Sequence, residues 1–498
     1  TKGESIRDVG KIDSREGLVY VEGDKGIINV AGNIRGATGT YLTSKNGTIQ
    51  DRTIALRNSG RNVVETRTEY RETTEGKFRN SSKTLTEEEY RAKLAEQEKA
   101  KAAGDTSNTS ENSKRHGKND DHLRNAGKNR TILEEVQVST NWDIVDRTDT
   151  TSGIIGLGGP TVLNAGKDII LESSDLRAKG GDIVLNAKNY LMMLSTVDTE
   201  YKTRTTTHSS GGGLRKKKTT TQTWTEDNEY ANNVDLSTDG NILMNYHGIG
   251  APADNRGIFA QGVNFNAGGA VSGYSEGNIY EQGTKDRLNR EYNSETRKSW
   301  IGITYGKSSD YVREDREKYV HSRLYGDAGI TFEADGKLRV EGVDIQSRGG
   351  VFLKGKLGTD ILPGIENGYR YEEHKSSGLT ASLGISWSGI SAGVGYQSSS
   401  DRIEETRKDV VRNRINVAGD VVIETESGDI NYMPTETIIG GKLIFNANGN
   451  AINILDIQNE RVYDRRTSQS YVGIGVNIGI PVISSAVSLY EAGKGLLN

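Results

Sequence analysis

The chain repeats itself at a fixed distance. Val162-Leu163-Asn164-Ala165 returns as Val184-Leu185-Asn186-Ala187, and Ile169-Ile170-Leu171 returns as Leu191-Met192-Met193, both 22 residues on. The same offset joins Val421–Thr425 to Leu443–Ala447 and Ile430-Asn431-Tyr432 to Ile452-Asn453-Ile454. An offset of 21 joins Ile330-Thr331-Phe332 to Val351-Phe352-Leu353, and Val21–Ile28 to Leu42–Ile49 with Gly26 falling on Gly47. Val234-Asp235-Leu236 meets Val263-Asn264-Phe265 across a local insertion around Ala251–Gly257. Within each copy apolar residues alternate over three to five positions before a Gly, Asn or Asp turns the chain, which is the pattern of short strands. A repeat near 20 residues built of several strands is too short for a propeller blade or a helix pair. It fits one rung of a parallel β-solenoid. Stacking at about 4.8 Å puts like residues over like, so aliphatic columns fill the interior. Asn164 over Asn186 and Asn431 over Asn453 are expected to form amide ladders.

Two rungs and then an excursion make the larger unit. After each pair the chain turns charged and rich in Tyr and Thr, at Val63–Gly76, Val197–Thr207, Leu288–Ser299, Asn367–Gly378 and Asn459–Ser470. Glycine-rich tips follow most of these exits, and charged return segments such as Glu314–Leu324 and Asp401–Ile415 lead back. We expect long β-hairpins thrown out from about ten rungs, a body of about 50 Å. The corresponding division places rungs in 1–60, 161–200, 234–280, 327–366 and 416–458. Hairpins are placed in 201–233, 281–326, 367–415 and 459–498, and an insertion in 61–160. Within that insertion Leu85–Gly104 reads as a helix with Thr86 as N-cap and Gly104 as its stop. A flexible polar loop, including Asp105–Asp121, is expected over 105–129.

Composition narrows the function classes. Only 33% of the 498 residues are hydrophobic and 27% are charged, which suits an elongated, solvated body better than a compact globule. A net charge of −4 gives no global field for nucleic acid. No apolar run is long enough for a transmembrane helix. No signal peptide is visible, and the chain opens in mid-pattern, as a fragment of a longer protein would. The absence of cysteine excludes disulfides and thiolate metal sites, and suits export of an unfolded chain through a pore.

Chemistry-bearing constellations are missing, so no catalytic, cofactor-binding or metal-binding residues are assigned and no enzymatic activity is expected. Polysaccharide-cleaving solenoids need carboxylates clustered on adjacent rungs. In the 22-residue frame Asp168 lies over Tyr190, Asp175 over Val197 and Asp429 over Ala451, so the acids fail to stack. The histidines His116, His122, His208, His247, His321 and His374 sit in six unrelated contexts without metal-ligand spacing and read as solvated surface residues. Gly302–Ser309 looks superficially like a phosphate-binding loop, but one residue too few separates Gly302 from Gly306, and a hairpin turn is expected there.

Contact surfaces are the sharper candidates. Leu379, Ala381, Leu383, Ile385 and Trp387 alternate with small residues, and Ile390, Ala392, Val394 and Tyr396 continue on a return strand. Val472, Ile474, Val476, Ile478 and Ile480 do the same in the last hairpin. Strands with one apolar face, small residues opposite and aromatic ends are like those of outer-membrane barrels. These hairpins are therefore expected either to engage a membrane or to pack back on the solenoid flank and cover its edges. Arg215, Lys216, Lys217 and Lys218 form a basic cluster able to touch an anionic surface, or simply a solvated hairpin tip.

The paired rungs, as in Gly180–Thr207, the glycine-rich hairpins and the return into Arg414–Ile430 resemble the haemagglutinin repeats of filamentous-haemagglutinin-type exoproteins of Gram-negative two-partner secretion. The similarity runs from about Val19 to Asn498 and is closest to effectors of contact-dependent growth inhibition. The resemblance implies a right-handed β-helical stalk on the cell surface. Its partners would be a target-cell outer membrane or envelope protein, the outer-membrane transporter during export, and a C-terminal toxin. The segment at 80–129 departs from the family pattern, and neither the family's N-terminal secretion domain nor a toxin is recognisable. Toxin delivery, adhesion to host or bacterial surfaces and, more remotely, polysaccharide cleavage therefore remain as three readings.

Overall fold

A computed structural model describes residues 10–75, 80–102, 130–150, 152–210, 217–246, 256–300, 303–386, 389–433 and 435–479. Their strands form four ten-stranded sheets. Three of them are parallel and build a right-handed β-helix of ten rungs, here called the stalk. The first rung is made of strands Lys11–Ser14, Val19–Gly23 and Gly26–Val30, and each later rung repeats the set, one strand per sheet. The sheets are named A, B and C in that order along a rung.

Register follows the sequence echo. Val162 pairs with Val184 and Asn164 with Asn186. Val421 pairs with Leu443, Ile330 with Val351 and Val234 with Val263. The asparagine ladders form, with Asn186 Nδ2 donating to Asn164 Oδ1 at 2.8 Å. Asn453 donates to Asn431 at 2.9 Å, and Asn431 donates onward to Asp360 at 2.6 Å. One expected match fails. Gly26 pairs with Thr48, not Gly47, because the offset changes from 21 in sheet B to 22 in sheet C. Gly47 is the extra residue of the intervening turn, where a Cβ would collide with the Lys25 carbonyl.

The core is a set of inward columns. Ile49, Ile169, Leu191, Ile258 and Ile279 stack in sheet C, and Leu42, Leu163, Leu185 and Met244 in sheet B, all essentially inaccessible. Where the sheet B column reaches Gly273, the neighbouring Phe332 fills the missing volume, and a Cβ on Gly273 would lie 2.9 Å from its ring. Constant volume along the column is what close packing demands.

The fourth sheet is antiparallel and contains every excursion. In chain order its strands are Ile54–Glu75, Asn80–Leu85, Arg130–Thr150, Thr196–Ser210, Lys217–Asn232, Thr284–Trp300, Ile303–Val320, Gly364–Ser386, Gly389–Val411 and Glu460–Gly479. Separate hairpins were expected. Instead each pairs with the next, giving one continuous fin along the stalk. The insertion belongs to it as well, since Ile54–Glu75 and Arg130–Thr150 pair over most of their length.

Arithmetic explains the fin. Neighbouring strands and neighbouring rungs share one spacing of about 4.8 Å. Every excursion follows a C strand, and each of the four that return re-enters at an A strand. Two rungs thus climb about 9.6 Å and add two strands. An excursion after every rung would crowd the fin, and one after every third would leave gaps.

Through rung eight, the backbone of a single residue after each C strand separates the two paths, on along the stalk or out into the fin. After odd rungs one to seven this residue is Ala31, Ser173, Gly262 or Gly342, at φ +50°, +45°, +64° and +58°. This left-handed turn sends the chain into the next A strand. The equivalent residues after even rungs are Thr53, Ser195, Gly283 and Pro363, none at positive φ, and the chain runs straight out into the fin. Pro363 cannot take the left-handed conformation at all. Ser173 bears its strain with compensation, because its hydroxyl accepts from Thr196 N at 2.8 Å and donates to the Asn232 carbonyl. It thereby ties the feet of two fin strands together.

Within the insertion, Glu87–Ala102 is helical and Thr86 is its N-cap. Glu89 N donates to Thr86 Oγ1 at 3.2 Å and Thr86 N to Glu89 Oε2 at 2.9 Å, a capping box. Lys93 reaches Glu72 at 2.6 Å and Tyr90 packs on Tyr70, which docks the helix on the fin. Gly104 and the loop at 105–129 lie outside the described residues.

Candidate functional site: the contact surface of the fin

The fin is a single layer, and both its faces are polar over most of its height. One row across it reads Lys202, Glu226, Arg290, Glu314, Arg370, Glu405, alternating in sign from strand to strand. Opposite charges on neighbouring strands favour the pairing. Higher up, hydroxyls meet in pairs, Thr203 with Thr225, Thr205 with Thr223, Thr207 with Thr221 and Ser209 with Thr219, at 3.3–3.5 Å. A sheet polar on both sides specifies its own register weakly. Here the stalk imposes it, because each strand is rooted at a fixed height.

Tyr319 strengthens the root. Its ring lies against Gly283, Gly342 and Gly364, where any Cβ would strike it. Its hydroxyl accepts from Gly283 N at 3.1 Å and donates to the Glu341 carbonyl at 3.0 Å. Burial and the nearby Glu341 and Glu281 push the phenol above its ordinary range.

The outer end of the fin changes character at its C-terminal corner. The register sets Leu379, Tyr396 and Val472 in one row and Ala381, Val394 and Ile474 two rows on. Between them lies the row Thr380, Gly395, Gly473. The described apolar side chains are bare: Val472 is 76% and Ile474 82% exposed, and Leu379, Val394 and Tyr396 are more than half exposed. Leu383 and Ile385 continue the rows opposite Ala392 and Ile390, and Val476 and Ile478 continue the outermost strand. Trp387 and Ile480 lie outside the described residues. The hairpins therefore pair with one another and do not lie on the stalk flank. Tyr471 fills the small-residue side, its ring lying over Gly395 and Gly473.

The basic cluster is only partly described. Lys217 and Lys218 are exposed, and Lys218 pairs directly with Lys298 in the next strand. Arg215 and Lys216 lie outside the described residues. Gly302–Ser309 is not a turn from end to end: Ile303–Val320 is a strand, so Tyr305–Ser309 is part of the ladder.

Two acids do stack, against expectation. Asp175 pairs with Asp235, not Val197, because rung four leads into a hairpin and the next A strand arrives only after it. Both are already matched, Asp175 by Arg177 at 2.7 Å and Asp235 by the Asn264 amide at 2.8 Å. Of the histidines, His374 binds Asp310 at 2.9 Å and His321 the Arg412 carbonyl at 3.0 Å. His208 is not a solvated residue. It is half-buried, its Nδ1 lacks a partner, and burial holds its pKa below the usual histidine value. His116, His122 and His247 lie outside the described residues. Among the described residues no three His, Asp or Glu side chains could hold a metal ion together.

Sequence reasoning missed two interior carboxyls. Asp51 and Glu281 occupy the same inward column of sheet C. Asn29 Nδ2 donates to Asp51 at 2.7 Å, yet burial pushes its pKa up to about 6. Burial raises Glu281 well above the carboxylate range. The signal was present, since each stands two residues after an inward isoleucine, Ile49 or Ile279.

Ten coaxial rungs with a commensurate fin define a β-helical protein whose exposed specificity lies in a sheet grown from one corner. The family model described as hemagglutinin repeat matches residues 135–223, 303–399 and 394–494, together more than half of the chain. The chain belongs to that family. The first match starts in one fin strand, passes through two rungs and ends in another, so the family's repeat is the structural unit of the stalk and fin. Rungs five and six, between the first two matches, follow the same plan. No curated protein and no solved structure matches the chain.

Proposed function

We propose that the chain is a non-enzymatic delivery segment of a large exoprotein on the surface of a Gram-negative bacterium, acting in contact-dependent growth inhibition. The stalk spaces, and the fin engages the envelope of a target cell while a C-terminal toxin passes. The carrying observation is the bare apolar corner of the fin, backed by small residues and set at the end farthest from the stalk. Val472 and Ile474 alone expose enough apolar surface to favour a lipid or membrane-protein contact by a few kcal/mol. An adhesin segment is the second reading, favoured by the family match, and it needs only the fin's polar faces.

Flotation with outer-membrane vesicles tests the first reading. The intact chain should float with the vesicles. A variant carrying Val394→Ser, Val472→Ser and Ile474→Ser should stay at the bottom while keeping its β-sheet circular dichroism. Equal flotation of the two, or none by either, removes the membrane-engaging role.

A further inference from the structure

Ten rungs face ten fin strands, yet one of those strands belongs to no rung. Rungs two to ten each send out or take back one strand. Asn80–Leu85 instead pairs with the outer end of Ile54–Glu75, from Tyr70 with Leu85 to Glu75 with Asn80, in the lane beside rung one. It is only six residues long. The strand it covers offers more edge than that, because its ladder runs regularly from Arg61 to Glu75 and shifts register only between Asn58 and Arg61. The helix Glu87–Ala102 holds the short strand in place through Tyr90 on Tyr70 and Lys93 on Glu72, and Leu85 is buried. A short edge strand backed by a helix stops a sheet from growing. Strand and helix together form a strap.

The strapped edge has a charge order that matches itself. Glu65, Arg67, Glu69 and Arg71 stand at every second residue and share one face. Laid antiparallel on a copy of itself about Thr68, the strand sets Arg67 opposite Glu69 and Glu65 opposite Arg71, each pair twice over. Directly opposite residues of an antiparallel pair lie on the same face, and opposite charges there favour the pairing. In the single chain Glu69 serves both Arg67 and Arg71, each at 2.6 Å. Across the two-fold axis each guanidinium meets a carboxylate of its own. The stalks do not obstruct this arrangement. Pairing over Arg61–Glu75 leaves Ile54–Gly60 of each copy, about 23 Å of strand, between one copy's tip and the other's stalk. The strap does obstruct it, because it takes the lane beside Tyr70–Glu75 where the second copy's Arg61–Thr66 would lie.

We infer that Arg61–Glu75 is a dimerisation edge for a second copy of this chain, held shut by the strap. The interface is isologous, so it closes at two copies. It engages the whole of Arg61–Glu75 on each side, whereas the strap pairs six residues. The strap prevails because it is tethered to the strand that it covers. The inference rests neither on toxin delivery nor on the apolar corner, which lies toward the opposite edge of the fin.

Removing the strap tests it. Glu75 and Arg130 are directly paired, so an Asn-Gly turn in place of 76–129 closes their strands as an ordinary hairpin. In sedimentation equilibrium at about 10 μM, enough to populate a micromolar complex, this strapless chain should have twice the mass of the native one. Ser81→Pro with Ser82→Pro should do the same in the full-length chain. Adjacent residues of a strand alternate in facing their neighbour, so one of the two prolines removes a ladder bond. Two charge-reversed strapless chains, Glu65→Lys with Glu69→Lys and Arg67→Glu with Arg71→Glu, should each keep the native mass alone and form a mixed dimer when combined. Circular dichroism checks that every variant retains its β-sheet. The inference is overturned if the folded strapless chain keeps the native mass, if either charge-reversed chain dimerises alone, or if combining the two yields no mixed dimer.

Discussion

Adding one rung to the stalk should break the fin beside it. Consider duplicating residues 153–174, which span the three strands of rung three and the turn after them. The stalk itself accepts the copy, because each inserted residue falls on its like 22 positions away. The fin does not. Arg130–Thr150 enters below this pair of rungs and Thr196–Ser210 leaves above it. An extra rung moves their feet apart by about one strand spacing, from about 4.8 to about 9.6 Å. Twelve residue pairs join these strands, from Thr199–Arg147 to Ser210–Val136. At about one backbone bond per pair, and about 0.5–1.5 kcal/mol net each, the loss is roughly 6–18 kcal/mol of local stability. Hydrogen exchange reads this directly. Amides of 199–210 and 136–147 should lose protection by orders of magnitude, while those of rungs three and four stay protected. Duplicating two rungs with their hairpin should restore it. Native protection in the one-rung variant would refute the commensurate-lattice account.

Other consequences are sharp enough to measure. Asp51 titrates near 6 in the fold against 3.8 for a free carboxyl. The fold thus binds the proton more tightly, and stability is full below about pH 4 and falls as pH rises to about 6. At about 1.4 kcal/mol per pH unit the loss is about 3 kcal/mol, so Asp51→Asn should raise the melting temperature at pH 7 and not at pH 3.5. Gly342→Val should cost roughly 2–4 kcal/mol in thermal unfolding, through its left-handed φ and its collision with Tyr319. Tyr319→Phe should cost only about 1 kcal/mol, for the bonds to Gly283 and Glu341. Asn431→Leu should cost about 1–2 kcal/mol by severing the ladder from Asp360 to Asn453, with Asn431→Asp restoring part of it at acid pH.

The stalk was legible because its cause is local and periodic. The Val162–Ala165 echo, the asparagine ladders and the Thr86 cap all depend on residues whose spacing shows in one dimension. The fin was not legible as a sheet. Partners in neighbouring hairpins lie 52 to 90 residues apart, as Thr199–Arg147 and Gly389–Gly479 do, their pairing depends on where each strand is rooted, and over most of the fin's height neither face carries an apolar alternation to announce it. Asp175 shows the same blindness on a smaller scale, since its neighbour Asp235 follows from the path of the excursion and not from any fixed offset. Asp51 and Glu281 could have been found. They sit at inward parity, and they were passed over because acids were sought on the surface, where catalysis would need them. The bare corner at Leu379, Val394 and Val472 was visible as alternation, but its place at the free end of a shared sheet came only with the register.

The left-handed residue after odd rungs one to seven also bears on how such proteins diversify. A turn at Gly262 or Gly342 lengthens the stalk, and a Pro363 in the same place widens the fin. The two choices differ at one residue of the turn, while the rungs on either side are interchangeable in register. Ancestral duplications could therefore have been retuned between reach and surface without redesigning a core. Only even-numbered changes keep the lattice closed, so family members should differ in length by whole pairs of rungs.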